Sequence, residues 1–262
     1  MGFFGVYGIV AGIILGLMLL LWVVSLILRN ASIVDIFWGA GFVIANWAYF
    51  VLAPEGASAR KWLISVLVTI WGLRLFGYIL WRNWGKPEDF RYRKWRGEAG
   101  PSWWWRSFFK VFFLQGVLLW VISAPLLAAH YYPTPDRLTV VDGLAIIVWM
   151  IGFTFEAVGD LQMARFKANP ANRGKVLDRG VWRYTRHPNY FGDATQWWAY
   201  YLVAAATGTG AWTIFSPVLM TLFLLRVSGV ALLEKTLKEE KPQYKEYIER
   251  TSSFVPWFPR KK

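Results

Sequence analysis

A chain of 262 residues with 56% hydrophobic and 19% aromatic side chains is too apolar for an ordinary soluble domain of that length. It contains no cysteine, which excludes a disulfide framework, zinc–thiolate sites and thiol catalysis. The net charge of +13 would suit nucleic acid, but the cations lie between long apolar segments, where membrane orientation explains them and nucleic acid does not.

Seven apolar stretches follow along the chain: 3–28, 33–53, 61–81, 107–130, 139–163, 189–207 and 211–234. Each is long enough for a hydrocarbon core of about 30 Å, and only helices satisfy their own backbone there without closing a barrel. The first, Phe3 to Leu28, has no charge and no basic leader, and it exceeds a signal-peptide core. It reads as a retained helix. With no internal repeat and no low-complexity linker, residues 1–262 read as a single all-α domain of seven transmembrane helices.

Charge between the spans sets the orientation. With the N-terminus outside, the inner segments 29–32, 82–106, 164–188 and 235–262 carry 1, 7, 7 and 8 lysines and arginines. The outer ones hold only Arg60, Lys61 and Arg137. This asymmetry follows the positive-inside rule and places the C-terminus in the cytoplasm. Residues 86–106 are basic and aromatic, and Trp103, Trp104 and Trp105 suit a headgroup-level belt. Glu88, Asp89, Arg91 and Tyr92 of this segment belong either to that belt or to a flap over a site.

Ionisable residues also occur within the spans or at their ends: Asp35, Arg74, Glu156, Asp160, Asp193, Arg226 and Glu234. A charge at mid-bilayer costs about 2.5–3.5 kcal/mol even on insertion scales, so each needs a partner, a wet cavity or a task. All are expected toward the inner ends of their helices. Glu156 and Asp160 stand four apart, on one helix face. Buried ion pairs, such as Arg74 or Arg226 with Asp160 or Asp193, are the structural alternative to a functional cluster. His130 is expected to be structural, and with only His130 and His187 in the chain no histidine metal site is expected.

The most specific stretch is KVLDRGVWRYTRHPNYFGD, Lys175 to Asp193. Pro188 fits the first turn of a helix, and Arg183, Arg186 and His187 precede it. A helix N-terminus flanked by such donors is a ready anion site. Asn189, Tyr190 and Asp193 project from that first turn.

The run GVWRYTRHPNYFGD, followed by the basic tail EKTLKEEKPQYKEYIERTSSFVPWFP, resembles the bacterial relatives of steroid 5α-reductase. The resemblance implies a seven-helix enzyme in a bacterial inner membrane, with a cofactor cavity open to the cytoplasm. It implies NADPH as cofactor and reduction of the Δ4 carbon–carbon double bond of a 3-oxo-steroid. Carried over, Asn189 and Asp193 match the family's cofactor contacts in N-x-x-G-[ED]. Asp160 matches the acid near the inner end of span five, Lys175 a phosphate contact, Arg226 the arginine of the last span, and Glu156 a position that is Asn in the family. Asp35 falls near the Glu of a Gln–Glu pair, with Val34 in place of the Gln. The family's ketone-polarising Tyr aligns with Trp71, with Tyr78 two turns on.

Under that resemblance the phosphates meet Lys175, Arg183, Arg186 and His187, and Arg74, Tyr190 and Arg226 line the cofactor site. The nicotinamide approaches Asp35, Trp38 and Asp193. The proton donor is a protonated Asp35 or Tyr78. No G-x-G-x-x-G follows a strand, so the cofactor is expected between helices. The expected partners are a lipophilic steroid and membrane lipid, with the chain a monomer. Isoprenylcysteine and phospholipid methyltransferases, which use S-adenosylmethionine, share the RHP-x-Y pattern and are the alternative class. A sterol-binding or scaffold protein without a cofactor is a third.

Overall fold

The computed structural model describes residues 1–227 and 243–260. Glu234 and the end of the expected seventh span lie outside the described residues. Helices dominate the described residues, which hold one isolated bridge, Thr185 to Ser252, and no strand.

Among the described residues, six helical stretches are long and apolar enough to cross a membrane: Phe3–Leu28, Ile33–Leu52, Ser58–Asn83, Phe90–Tyr131, Val140–Ala168 and Thr209–Arg226. This is the pattern of a multi-pass membrane protein. The expected span at 189–207 is also a helix, Pro188–Ala205, but it is not one of the six. Asn189, Asp193 and Gln196 make its first half polar.

The chain divides into two compact units. The first comprises residues 1–139 and 203–213. Its helices are α1 (Phe3–Leu28), α2 (Ile33–Leu52), α3 (Ser58–Asn83), α4 (Phe90–Ala99), α5 (Trp103–Ser107), α6 (Leu114–Ile122) and α7 (Ala124–Tyr131). A π-helical segment, Phe108–Phe113, joins α5 to α6. Helix α1 buries one narrow stripe, Val6, Val10, Ile14, Met18, Leu21 and Ser25, while Leu20 and Ile27 on its other faces stay exposed. An uncharged helix that is apolar all round belongs in lipid rather than at a water boundary.

Helices α2 and α3 approach through glycine. A Cβ on Gly39 would lie 2.5 Å from the Gly72 carbonyl oxygen, so neither position has room for a side chain. At the far end of the same pair Asn46 donates to Ser65 Oγ at 3.0 Å. Its Oδ1 therefore accepts from Nε2 of the buried His130, also at 3.0 Å. This is a packing role, as expected of that histidine.

The second unit comprises residues 140–202 and 214–262. Its helices are α8 (Val140–Ala168), the greater part of α9 (Pro188–Ala205), α10 (Phe215–Leu222) and α11 (Gln243–Arg250). Pro188 opens α9, where its missing N–H costs no hydrogen bond. Helices α8 and α9 also meet at glycine. A Cβ on Gly192 would stand 2.4 Å from the Gly152 oxygen and 2.5 Å from the Glu156 nitrogen.

Candidate functional site

In the first unit a polar cluster forms around Asp35, in the first turn of α2, where the helix dipole favours negative charge. The Tyr92 hydroxyl donates to Asp35 Oδ1 at 2.7 Å. Gln115 Nε2 donates to the same oxygen and to the Tyr92 oxygen, each at 3.3 Å. Arg91 Nη2 donates to Asp35 Oδ2 at 3.1 Å. Three donors thus converge on Asp35, which acts here as an acceptor. Its side chain keeps 27% exposure, while Tyr92 keeps 3%.

Local sequence explains how α4 brings Arg91 and Tyr92 there. Asp89 is the N-cap of α4 and accepts the Arg91 N–H at 3.0 Å. Arg91 Nε donates to the same Asp89 oxygen at 2.9 Å. Burial alone would raise the Asp89 pKa, but these hydrogen bonds and the Arg91 charge outweigh it and hold the carboxyl below its usual range. The residue before the cap, Glu88, ties α4 to the α1–α2 turn. It accepts the Ala31 N–H at 2.7 Å and a two-pronged contact from Arg96 at 2.8 and 3.0 Å. Ser32 Oγ accepts the Asp89 N–H at 3.1 Å.

Gln115 is a member of this cluster that sequence reasoning did not single out, and Tyr92, read from sequence as belt or flap, joins it here. A signal existed for each. Asp89 before Phe90 is an N-cap, which turns an apparent loop into a helix. Gln115 is the lone amide in the apolar run 107–130. Of the other residues expected on these helices, Trp38 packs edge-on against Phe42 at 5.2 Å, and Arg74 is half-buried on α3. Tyr78 lies beside Trp81, with the Arg82 guanidinium 5.6 Å over its ring. The phenol placed against Asp35 is Tyr92.

In the second unit Asp160 and Glu156 lie on the face of α8 that meets α9, 6% and 3% exposed. Asn189 Nδ2 donates to Asp160 Oδ1 at 3.3 Å, and Gln196 donates to Glu156. Asp193 is half-buried one turn beyond Asn189. The loop before α9 leans on α8, since Trp182 Nε1 donates to the Gly159 oxygen and the Val181 N–H to Gln162, both at 3.1 Å. His187 stacks parallel to Tyr190, ring centres 5.6 Å apart.

The basic residues of this loop divide into two kinds. Lys175 and Arg183 are exposed. Arg186 is 7% exposed, and its guanidinium donates to the carbonyls of Ile248, at 3.0 Å, and Thr251. The tail is fastened there by further bonds. Arg186 N–H donates to Ser252 at 2.9 Å, Thr185 Oγ1 to the Phe254 carbonyl at 2.8 Å, and the Tyr247 hydroxyl to the Trp182 carbonyl. Burial holds the Tyr247 phenol above the usual tyrosine range. Arg226, in the π-helical segment Phe223–Val227, is exposed.

Residues 21–251 match a family model described as a protein of unknown function, DUF1295. The matched region holds both clusters. The uncharacterised protein C594.04c of Schizosaccharomyces pombe is 26% identical over 277 residues, which span 94% of this chain and 79% of the yeast protein. No solved structure matches.

Proposed function

Starting from a chain that belongs to the DUF1295 family, whose description carries no chemistry, we propose that it is a membrane reductase. It uses NADPH to reduce the Δ4 double bond of a lipophilic 3-oxo-steroid. The observation that carries this reading is the Tyr92 phenol held 2.7 Å from Asp35 with Gln115 on both. An inward phenol within an acid–amide pair is what an enone needs where charge develops on its oxygen. The motif of residues 180–193 supports the same reading by its resemblance to steroid 5α-reductase relatives.

NADPH, when bound, supplies a hydride to the β-carbon of the enone. Charge would then grow on the ketone oxygen, and we assign Tyr92 to meet that oxygen and donate its proton to it; the enol would hand that proton back to Tyr92 as the α-carbon takes one from water, which completes the saturated ketone. Asp35 and Gln115 hold the phenol in place. Arg91 offsets the Asp35 charge, so the phenol proton is not bound to an uncompensated anion. Helix α4 thus replaces Tyr78 as the source of the donor. In the second unit the residues present fit a dinucleotide. Lys175 and Arg183 offer cations for phosphate, and Asp160 and Asn189 offer an acceptor and a donor for ribose or carboxamide. Seven spans, an outer N-terminus, a cavity open to the cytoplasm and a monomer in a bacterial inner membrane complete the reading.

The test uses the purified full chain in detergent, a Δ4-3-ketosteroid and NADPH absorbance. The expected result is steroid-dependent NADPH consumption and a melting temperature raised by NADPH. A melting temperature raised by S-adenosylmethionine alone, with no NADPH consumed, would replace this reading with a methyltransferase.

A further inference from the structure

The first unit also carries a surface groove of about 430 Å³, which adjoins the Asp35 cluster where the Trp95 ring meets Tyr92 edge-on at 5.6 Å. Trp95, Trp103, Trp105, Arg106, Phe109 and Lys110 line it. Three indole rings and a phenyl give apolar walls, and two cations stand among them. Lys110 Nζ sits 4.3 Å over the Trp95 ring, and the Arg106 guanidinium 5.4 Å over the Trp105 ring. Both cations are exposed.

The charge balance of this segment says what is missing. Its three acids lie with other cations: Glu88 with Arg96, Asp89 with Arg91, and Glu98, itself a lining residue of the groove, with Lys94 at 4.0 Å. Arg106 and Lys110 face aromatic rings and form no ion pair among the described residues. The apolar run that begins at Ser107 continues directly from this groove into α6, so the groove stands where a membrane helix starts. Trp22 Nε1 donates to the Trp104 carbonyl at 2.9 Å and fixes the tryptophan run against α1.

We propose that this groove binds one anionic glycerophospholipid of the surrounding leaflet, its phosphate between Arg106 and Lys110 and its glycerol and upper acyl chain along Trp95, Trp105 and Phe109. Arginine and lysine supply the anion contacts, and indole rings favour the headgroup level. The lipid is a bound companion of the protein and not its substrate, so the site stands independently of the reductase reading.

Native mass spectrometry of the full chain, titrated with phosphatidylglycerol, phosphatidylcholine or inorganic phosphate, tests it. Phosphatidylglycerol is expected to stay bound where phosphatidylcholine does not. Arg106→Gln with Lys110→Gln should weaken it about tenfold or more. Arg93→Gln, an exposed arginine of α4 outside the groove, should leave it unchanged. Equal retention of the two lipids, or full retention by the double variant, overturns the site. Displacement of phosphatidylglycerol by an equal concentration of inorganic phosphate overturns the lipid as its occupant. Should the double variant not fold, quenching of wild-type tryptophan fluorescence by brominated phosphatidylglycerol and by brominated phosphatidylcholine decides: stronger quenching by the former supports the site, and equal quenching overturns it.

Discussion

The Tyr92 hydroxyl and the Asp35 carboxylate, 57 residues apart, lie within 2.7 Å of one another. Two helices and the segment between them separate the pair along the chain. The contact exists because Asp89 caps α4 and Glu88 anchors it to the turn before α2.

Replacing Tyr92 by Phe keeps the ring and removes only the proton. Steroid-dependent NADPH consumption is expected to fall by about 10²–10⁴ in kcat, the usual weight of a general acid. Since Tyr78 keeps its hydroxyl in that variant, near-normal turnover by Tyr92→Phe would return the donor's role to another residue.

Asn189→Ala removes the donor to Asp160 in the second unit. Hydrogen bonds to charged groups contribute about 1.5–3 kcal/mol, so NADPH affinity should weaken about 10–100-fold. Titration calorimetry with NADPH reads this directly, and an unchanged Kd would remove Asn189 from the cofactor site.

Gly192→Ala tests packing rather than chemistry. The added methyl would meet backbone of α8 at 2.4 and 2.5 Å, which no rotamer change relieves. A loss of about 1–3 kcal/mol is expected, seen as a lower melting temperature. Gly12→Ala on α1, where nothing lies within 4 Å, should leave it unmoved.

Asp89 makes a pH prediction. Its pKa is lower in the fold than the ordinary 3.8, so the stability it adds is present above that value and disappears as pH falls through the lower, folded one. In acid titrations followed by intrinsic fluorescence, Asp89→Asn should have lost that contribution already at neutral pH. Below about pH 3.8 its stability should therefore fall less steeply than that of the parent.

Much of the helical plan was legible because apolar runs end where charges or Gly and Pro begin. The runs 3–28 and 33–53 match Phe3–Leu28 and Ile33–Leu52 to within a residue. The run 107–130 misses the front of its helical stretch, which starts at Phe90. Residues 90–106 carry six charges, and hydropathy reads charged helix as loop. Asp35, Asp160 and Asn189 were legible as polar groups that a membrane would not tolerate idly. Gln115 was not, and Tyr92 could be read only as belt or flap, because one amide in a span and a Tyr in a basic segment gain their place only from tertiary contact.

The fastening of Arg186 to the backbone of residues 248–252 has a practical outcome for anyone shortening this protein. Deleting the last dozen residues would take the Thr251 carbonyl from the guanidinium and the Ser252 carbonyl from the Arg186 N–H, and the segment that leads into α9 would rearrange to rehydrate them. Inactivity of such a deletion would report collapse of the 180–187 strap, not the loss of a reacting group from the tail.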